Sequence, residues 1–106
     1  MTSDQVGIGI VGGGFIAGAH AEAFSRLSRA AVCAAASRSA DRAAEFAARW
    51  EIPAWLTDFR ELACRPDVDV VCIAAPNNVH RDIAVVTAEA GKHVISEKPL
   101  ARTEPW

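Results

Sequence analysis

The feature that most constrains this chain is a run of three glycines between an apolar segment and a segment of helical periodicity. Val6–Val11 is short, apolar and rich in β-branched residues, as expected of a buried strand. After Gly12, Gly13 and Gly14, apolar side chains recur at the spacing of an α-helix. The expected inner face of this helix consists of Ile16, Ala19, Ala23, Phe24 and Leu27. A strand, a glycine turn and a helix in this order indicate an α/β fold.

The rest of the chain continues the alternation of strands and helices. Further strands are predicted at 31–36, 53–55, 68–74 and 93–96, with helices after Ser39, from Asp58 to about Cys64, and from Pro76–Asn78 to Gly91. The segment 68–74 is almost entirely apolar, which suits a strand covered on both faces. We therefore predict a doubly wound parallel sheet of about five strands, forming one domain over residues 1–106.

The glycine turn has the spacing G-x-G-x-x-A over residues 12–17. In a strand-turn-helix context this spacing is typical of Rossmann-like dinucleotide-binding domains. Gly12 allows the tight turn, and Gly14 lets the backbone approach a diphosphate held at the helix N-terminus. We predict that Gly12, Gly14, Phe15 and Ile16 bind a dinucleotide coenzyme there. A plain turn between strand and helix is the alternative interpretation.

The end of the second strand bears on which dinucleotide is bound. An acidic residue usually contacts the adenosine ribose at this place, but here the sequence is Ala36-Ser37-Arg38. Arg38 offers a planar cation that can lie against adenine or pair with a 2′-phosphate, and Ser37 adds a hydroxyl group. We therefore predict NADP in preference to NAD, with Ser37 and Arg38 as contacts. The alternative is that Arg38 is a solvated loop residue.

Four separated motifs resemble those of the Gfo/Idh/MocA family of oxidoreductases. They lie at 12–20, at 75–80 (Ala-Pro-Asn-Asn-Val-His), at 90–94 (Ala-Gly-Lys-His-Val) and at 97–99 (Glu-Lys-Pro). They occur in the family's order and span nearly the whole chain. The resemblance implies an N-terminal Rossmann domain of an NAD(P)-dependent dehydrogenase or reductase. Substrates in this family are sugars, polyols and related molecules, and a separate C-terminal α/β domain contributes to substrate binding.

The resemblance also assigns site residues. It places Pro76, Asn77 and His80 along the ribose and nicotinamide half of the coenzyme, with Glu97 as a further contact, and Lys98 beside the substrate. A lysine there can orient the substrate oxygen for hydride transfer and stabilise a developing alkoxide. The resemblance also implies a cis peptide bond before the proline that follows Lys98. The alternative for His80 is a packing histidine on a helix face. The alternative for Lys98 is a surface lysine paired with Glu97.

The chain ends about ten residues after its last predicted strand. We expect a cofactor domain that is incomplete at its C-terminal end, with the substrate domain absent. Its fifth strand would be an uncovered edge, and we expect marginal stability, self-association and possible homo-oligomers. The alternative function is a non-enzymatic dinucleotide-binding module or an inactive fragment.

Composition excludes several other classes of protein. The net charge of −2 and the presence of only two lysines argue against nucleic-acid and membrane-surface partners. The absence of tyrosine excludes dehydrogenases that use a Tyr-x-x-x-Lys pair. The three cysteines have no metal-ligand spacing, so no metal site is expected. Residues 1–5 do not resemble a signal peptide, and we predict a cytoplasmic protein.

Overall fold

A computed structural model describes residues 5–75 and 77–96, and the structural statements that follow concern these residues. Strands and helices alternate along them. The elements are β1 (Val6–Val11), α1 (Phe15–Ser25), β2 (Ala30–Ala36), α2 (Ala40–Trp50), β3 (Ala54–Leu56), α3 (Phe59–Ala63), β4 (Val70–Ile73), α4 (Asn77–Glu89) and β5 (His93–Ser96). The five strands form one parallel sheet in the order β3-β2-β1-β4-β5. The predicted α/β fold class and strand number are confirmed.

The core has two layers, one on each face of the sheet. On one face, Ile10 packs with Ala17 of α1 and Phe46 of α2. On the other face, Leu62 of α3 and Ile83 of α4 belong to a second buried cluster. Successive residues of β4 alternate between the two clusters, since Cys72 lies in the first and Val71 in the second. Helices therefore cover both faces, as a doubly wound sheet requires.

The predicted inner face of α1 is wrong in part. Ala17 and Ala21 are the buried residues of this helix, whereas Ala19 and Ala23 are exposed. Ile16 and Phe24 pack only partly against the core, and Leu27 is 54% exposed, beyond the end of the helix. Small side chains face the sheet because α1 packs close to it. In a helix rich in alanine, such as α1, large apolar residues are therefore poor markers of the inner face.

The amino ends of the strands are joined by a network of polar contacts. Pairing between β1 and β2 shifts register at Cys33, whose thiol sulfur lies 3.5 Å from the carbonyl oxygen of Asp67. Burial raises the pKa of the Cys33 thiol, and the neighbouring Asp67 carboxylate adds to the effect. Hydrogen bonds from the Arg65 guanidinium lower the pKa of Asp67. These contacts hold the amino ends of the strands together. Because its pKa is raised, the Cys33 thiol is protonated at neutral pH.

Strand β5 forms one edge of the described sheet. All four of its residues are exposed, and Val94 and Ile95 are 38% and 39% exposed. Adjacent residues of a strand point to opposite faces, so apolar area is exposed on both sides of this edge. None of the helices in the described ranges is both long and apolar enough to cross a bilayer.

Candidate functional site

The glycine turn lies at the carboxyl edge of the sheet, where the strand order reverses. From β1 the chain moves outward through β2 and β3, and it then returns to the other side of β1 as β4 and β5. The loops that follow β1 and β4 therefore diverge, one toward α1 and the other toward α4. Open parallel sheets bind ligands at this switch point. Gly12–Gly14, Ser37 and the start of α4 all lie at this edge.

Gly12 has a conformation and surroundings that only glycine fits well. Its φ of +133° lies in a region that residues with a Cβ rarely adopt. A Cβ at this position would lie 2.6 Å from the carbonyl oxygen of Ala74, which is backbone after β4. The Gly12 N–H donates a hydrogen bond of 2.8 Å to the carbonyl of Ala36 at the end of β2. The turn is thus held between the ends of both neighbouring strands.

The N-terminus of α1 lacks the features that usually satisfy a helix start. Gly14 occupies the N-cap without a side chain, and no acidic residue lies in the first turn. The N-terminus of α2 differs, since the Ser39 hydroxyl accepts from the Arg42 N–H and Asp41 lies in the first turn. The N–H groups of a first turn have no acceptor within the helix and carry partial positive charge. The start of α1 is therefore suited to hold an anion from outside the protein fold.

The structure brings Ser37 to the glycine turn. Ser37 is 1% exposed, and its N–H donates to the carbonyl of Leu56 at 3.1 Å. Its hydroxyl oxygen would lie 3.6 Å from a Cβ built on Gly13. Arg38 follows immediately and is exposed, and the described end of β2 carries no carboxylate. Of the predicted pair, Ser37 thus lies buried beside the turn, and Arg38 is exposed and lines neither cavity described below.

Two adjoining cavities lie between the start of α1 and the outer face of α2. Their volumes are about 370 and 470 Å³. Both are lined by Gly13, Gly14, Phe15, Phe46 and Arg49. Together they form a groove that begins at the glycine turn, and its floor includes the ring of Phe46.

Sequence analysis missed Arg42, which lines the smaller cavity. The Arg42 Cβ would lie 3.9 Å from a Cβ on Gly13, so this residue stands directly beside the turn. Arg42 follows Arg38 by four residues, across the Ser39 cap. That spacing predicts that Arg42 lies in the first turn of α2, close to the preceding loop, but it does not indicate that α2 packs beside Gly13. A second cation is thus available where a 2′-phosphate is expected.

The predicted nicotinamide side of the site is described only in part. Helix α4 begins at Asn77, and His80 lies in its first turn, partly buried. The His80 Nε2 atom is buried and has no hydrogen-bond partner within the described ranges. Pro76, Glu97 and Lys98, and the expected cis bond before Pro99, lie outside the described residues. Among the described side chains, no group of three or more His, Cys, Asp or Glu could hold a metal ion.

Comparison with known proteins decides the family. Residues 6–104 match the Gfo/Idh/MocA model, described as an oxidoreductase family with an NAD-binding Rossmann fold. The chain belongs to the Gfo/Idh/MocA family. The predicted resemblance is therefore confirmed, and it extends over the glycine turn, Ser37, Arg38 and His80.

Individual members of the Gfo/Idh/MocA family are similar to most of the chain. Levoglucosan dehydrogenase of Pseudarthrobacter phenanthrenivorans is 40% identical over 93% of the chain and 27% of its own length. The scyllo-inositol 2-dehydrogenase (NADP(+)) IolU of Bacillus subtilis is 38% identical over 87% of the chain and 28% of its own length. A solved levoglucosan dehydrogenase complex with NADH is 37% identical, with a TM-score of 0.85, over 92% of the chain and 28% of the solved chain.

The chain therefore spans little more than a quarter of the length of these relatives. The part that matches contains the glycine turn and the groove, and its features fit a dinucleotide coenzyme. The turn at Gly12 has no room for a Cβ, and the start of α1 is uncapped. Both features fit a diphosphate. Arg42 is a cation in the lining of the groove beside Gly13, and Arg38 is an exposed cation that follows β2.

Proposed function

We propose that the chain is the coenzyme-binding portion of an NAD(P)-dependent oxidoreductase acting on a sugar, polyol or related alcohol or carbonyl compound. The proposal rests on the uncapped start of α1, which follows the turn at Gly12. Gly12 has a positive φ and lies so close to the Ala74 backbone that there is no room for a side chain. Backbone N–H groups at this turn would bind the diphosphate. The bound coenzyme supplies the hydride acceptor or donor. The chain's own contribution is to bind and orient it.

Within this proposal, NADP is preferred over NAD. Arg42 lines the groove beside Gly13, Arg38 is exposed at the end of β2, and Ser37 adds a buried hydroxyl beside Gly13. Two guanidinium groups can share a 2′-phosphate, whereas an unmodified ribose hydroxyl gains little from them. The relatives support either coenzyme, since IolU is named as NADP(+)-dependent and the levoglucosan dehydrogenase complex contains NADH.

Calorimetric titration with NADPH and NADH tests both parts of this proposal. We expect NADPH to bind more tightly. Arg38→Ala and Arg42→Ala should each weaken NADPH binding by about tenfold or more and change NADH binding by less than about threefold. Arg60→Ala is the matched control, because Arg60 lies on α3 outside the lining of the groove. Equal or tighter binding of NADH would contradict the NADP preference, and binding of neither would contradict the function.

The substrate side rests on the family relationship. The names of the relatives support a cyclic polyol or an anhydrosugar as the substrate class. We propose that Lys98 orients the substrate oxygen and that Pro76, Asn77, His80 and Glu97 border the nicotinamide half of the coenzyme. NADPH formation from NADP⁺ and scyllo-inositol or levoglucosan, abolished by Lys98→Met, would support an oxidoreductase. Coenzyme binding without turnover of any polyol by a longer protein that contains this chain and a substrate domain would favour the alternative, a non-enzymatic dinucleotide-binding module. Cytoplasmic location also stays a prediction.

A further inference from the structure

The groove continues away from the glycine turn, along the two helices that flank it. Helices α1 and α2 each follow a strand of the parallel sheet, so both run from its carboxyl edge toward its amino edge. At about 1.5 Å per helical residue, Glu22 lies roughly 10 Å beyond the start of α1 and Arg49 roughly 13 Å beyond the start of α2. The part of the larger cavity at this depth is named the lower groove, and its lining is Gly18, Ala19, Glu22, Phe46, Arg49 and Trp50.

The indole N–H of Trp50 is a donor without an acceptor at the lower groove. Its Nε1 atom is buried and has no hydrogen-bond partner within the described ranges. A Cβ built on Gly18 would lie 3.9 Å from Nε1 and 3.8 Å from Cζ2 of the same ring. Trp50 also lines a cavity of about 190 Å³, but Gly18 lines only the larger of the two. The N–H edge of the ring therefore borders the lower groove. Buried polar groups nearly always have a partner, which indicates an acceptor from outside the fold.

Arg49 supplies a positive charge next to this donor. Its guanidinium forms no ion pair within the described part of the chain. Glu22, on the opposite wall, already accepts a hydrogen bond of 2.9 Å from Arg26. Nearer the glycine turn, the smaller cavity is lined by two cations and one carboxylate, namely Arg42, Arg49 and Glu45. The charge of the groove thus favours an anion, and Arg49 is the cation that lines its lower part.

The rest of the lower groove is apolar and carries little side-chain bulk. The buried Phe46 forms part of its floor, and Gly18 and Ala19 leave space along α1. A hydrocarbon ring placed there would lose water-exposed surface on binding, which adds a hydrophobic contribution. Ligand pockets typically combine such an apolar lining with a few polar groups that fix the orientation of the ligand. An aromatic carboxylate matches both parts, with an anion for Arg49 and a ring for Phe46.

We propose that the lower groove binds a small aromatic carboxylate. The carboxylate oxygens accept hydrogen bonds from the Arg49 guanidinium and the Trp50 indole N–H, and the ring lies on Phe46 beside Gly18. Hydrogen bonds between a guanidinium and a carboxylate are charge-assisted, so the charge of the ligand should decide its affinity. The inference is independent of the proposed function, because both donors lie on α2 and outside the glycine turn. It assigns the site no part in hydride transfer.

The test titrates the chain with 2-naphthoate, and 2-naphthamide is the uncharged counterpart. The chain contains three tryptophans, and Trp50→Phe identifies the indole signal of Trp50 in nitrogen-15 NMR spectra. We expect this signal to shift with the concentration of 2-naphthoate, while the signal of the exposed Trp55 stays in place. The Kd for 2-naphthoate should be about 1 mM or lower, and 2-naphthamide should bind at least about tenfold more weakly.

Two variants locate the probe on the protein. Arg49→Gln should raise the Kd for 2-naphthoate about tenfold, because it removes the charge. Arg60→Gln is the matched control and should change the Kd by less than about twofold, since α3 packs on the other face of the sheet. Gly18→Ala should keep the fold, because its Cβ would meet Trp50 only at ordinary contact distances. It should still raise the Kd about threefold or more by filling space beside the indole.

Saturation with NADPH separates the lower groove from the coenzyme site. We expect NADPH to change the Kd for 2-naphthoate by less than about threefold. If NADPH displaces the probe, the probe occupies the coenzyme site and the lower-groove site is refuted. The same conclusion follows if the Trp55 signal shifts as much as that of Trp50, if 2-naphthamide binds as tightly as 2-naphthoate, or if Arg49→Gln or Gly18→Ala binds like the parent. None of these results contradicts the proposed function, which depends on coenzyme binding by the parent chain.

Discussion

Adjacent glycines in the turn after β1 are under different constraints. Gly12 has a φ of +133°, and an added Cβ would lie 2.6 Å from a backbone oxygen. Gly13 has no positive φ, and its added Cβ would meet Ser37 and Arg42 only at ordinary contact distances of 3.6–3.9 Å. Gly12 is therefore required by the turn itself, whereas the fold leaves room for a Cβ at Gly13.

Substitution of the two glycines separates these roles. We expect Gly12→Ala to lower the free energy of unfolding by about 1–3 kcal/mol, because it adds strain at a positive φ and a backbone clash. Gly13→Ala should change it by less than about 1 kcal/mol. Urea denaturation followed by circular dichroism measures both. Equal stability of the two variants would show that the turn relaxes and that the Ala74 contact does not constrain Gly12.

The sequence predicted the glycine turn better than it predicted the groove. Gly12 and Gly14 could be assigned because one short segment carries the whole strand-glycine-helix pattern. Ser37 and Arg38 followed from the expected end of β2. Arg42 could not be assigned with them, because its place beside Gly13 depends on how α2 packs against the start of α1. Contacts between two elements, such as this one, cannot be predicted from the periodicity of either segment.

The helices of this fold differ most at their N-termini. In α2 the Ser39 hydroxyl lies 3.3 Å from the Arg42 N–H, and in α3 the Asp58 carboxylate lies 2.9 Å from the Arg60 N–H. These caps each satisfy one N–H group at the start of the helix. The start of α1 has neither a capping side chain nor an acidic residue in its first turn. Side-chain caps are thus present at the starts of α2 and α3 and absent at the start of α1.

Removal of the α2 cap should have a measurable cost. We expect Ser39→Ala to destabilise the fold by about 1 kcal/mol, the usual value for a lost serine cap, and to lower the Tm by several degrees. Ser25→Ala is the control, because its hydroxyl bonds only to the carbonyl of Glu22 near the exposed end of α1. Thermal unfolding of the two variants compares them. A smaller loss for Ser39→Ala than for Ser25→Ala would contradict a capping role.

Element prediction succeeded where the residue pattern was distinct. On α4, Val79, Ile83 and Val86 lie at helical spacing, and all three are buried or pack on the core. Helix α1 has few large apolar residues, so its inner face was assigned to the wrong alanines. There the geometry of the sheet decides, since only Ala17 and Ala21 are small enough and correctly placed for close packing. A pattern of similar small residues cannot indicate this.

The sheet as a whole is unequally covered. Its central strands lie between two helical layers, whereas β5 has a single strand partner, β4, in the described sheet. The outer edge of a terminal strand presents N–H and C=O groups that can pair with another chain. Val94 and Ile95 add exposed apolar area on the two faces of this edge. The expectation of self-association therefore has a specific location.

We expect the chain to self-associate through β5. Its weight-average mass in sedimentation experiments should rise with protein concentration, and Ile95→Lys should suppress the rise, because a charged side chain on an edge strand disfavours edge-to-edge pairing. Val85→Lys is the matched control, since Val85 is also exposed and apolar but lies on α4 and not on the edge strand. If the parent stays monomeric at all concentrations, the edge is not adhesive. If Val85→Lys suppresses association as strongly as Ile95→Lys, the contact is a general apolar surface and pairing along β5 is excluded as its basis.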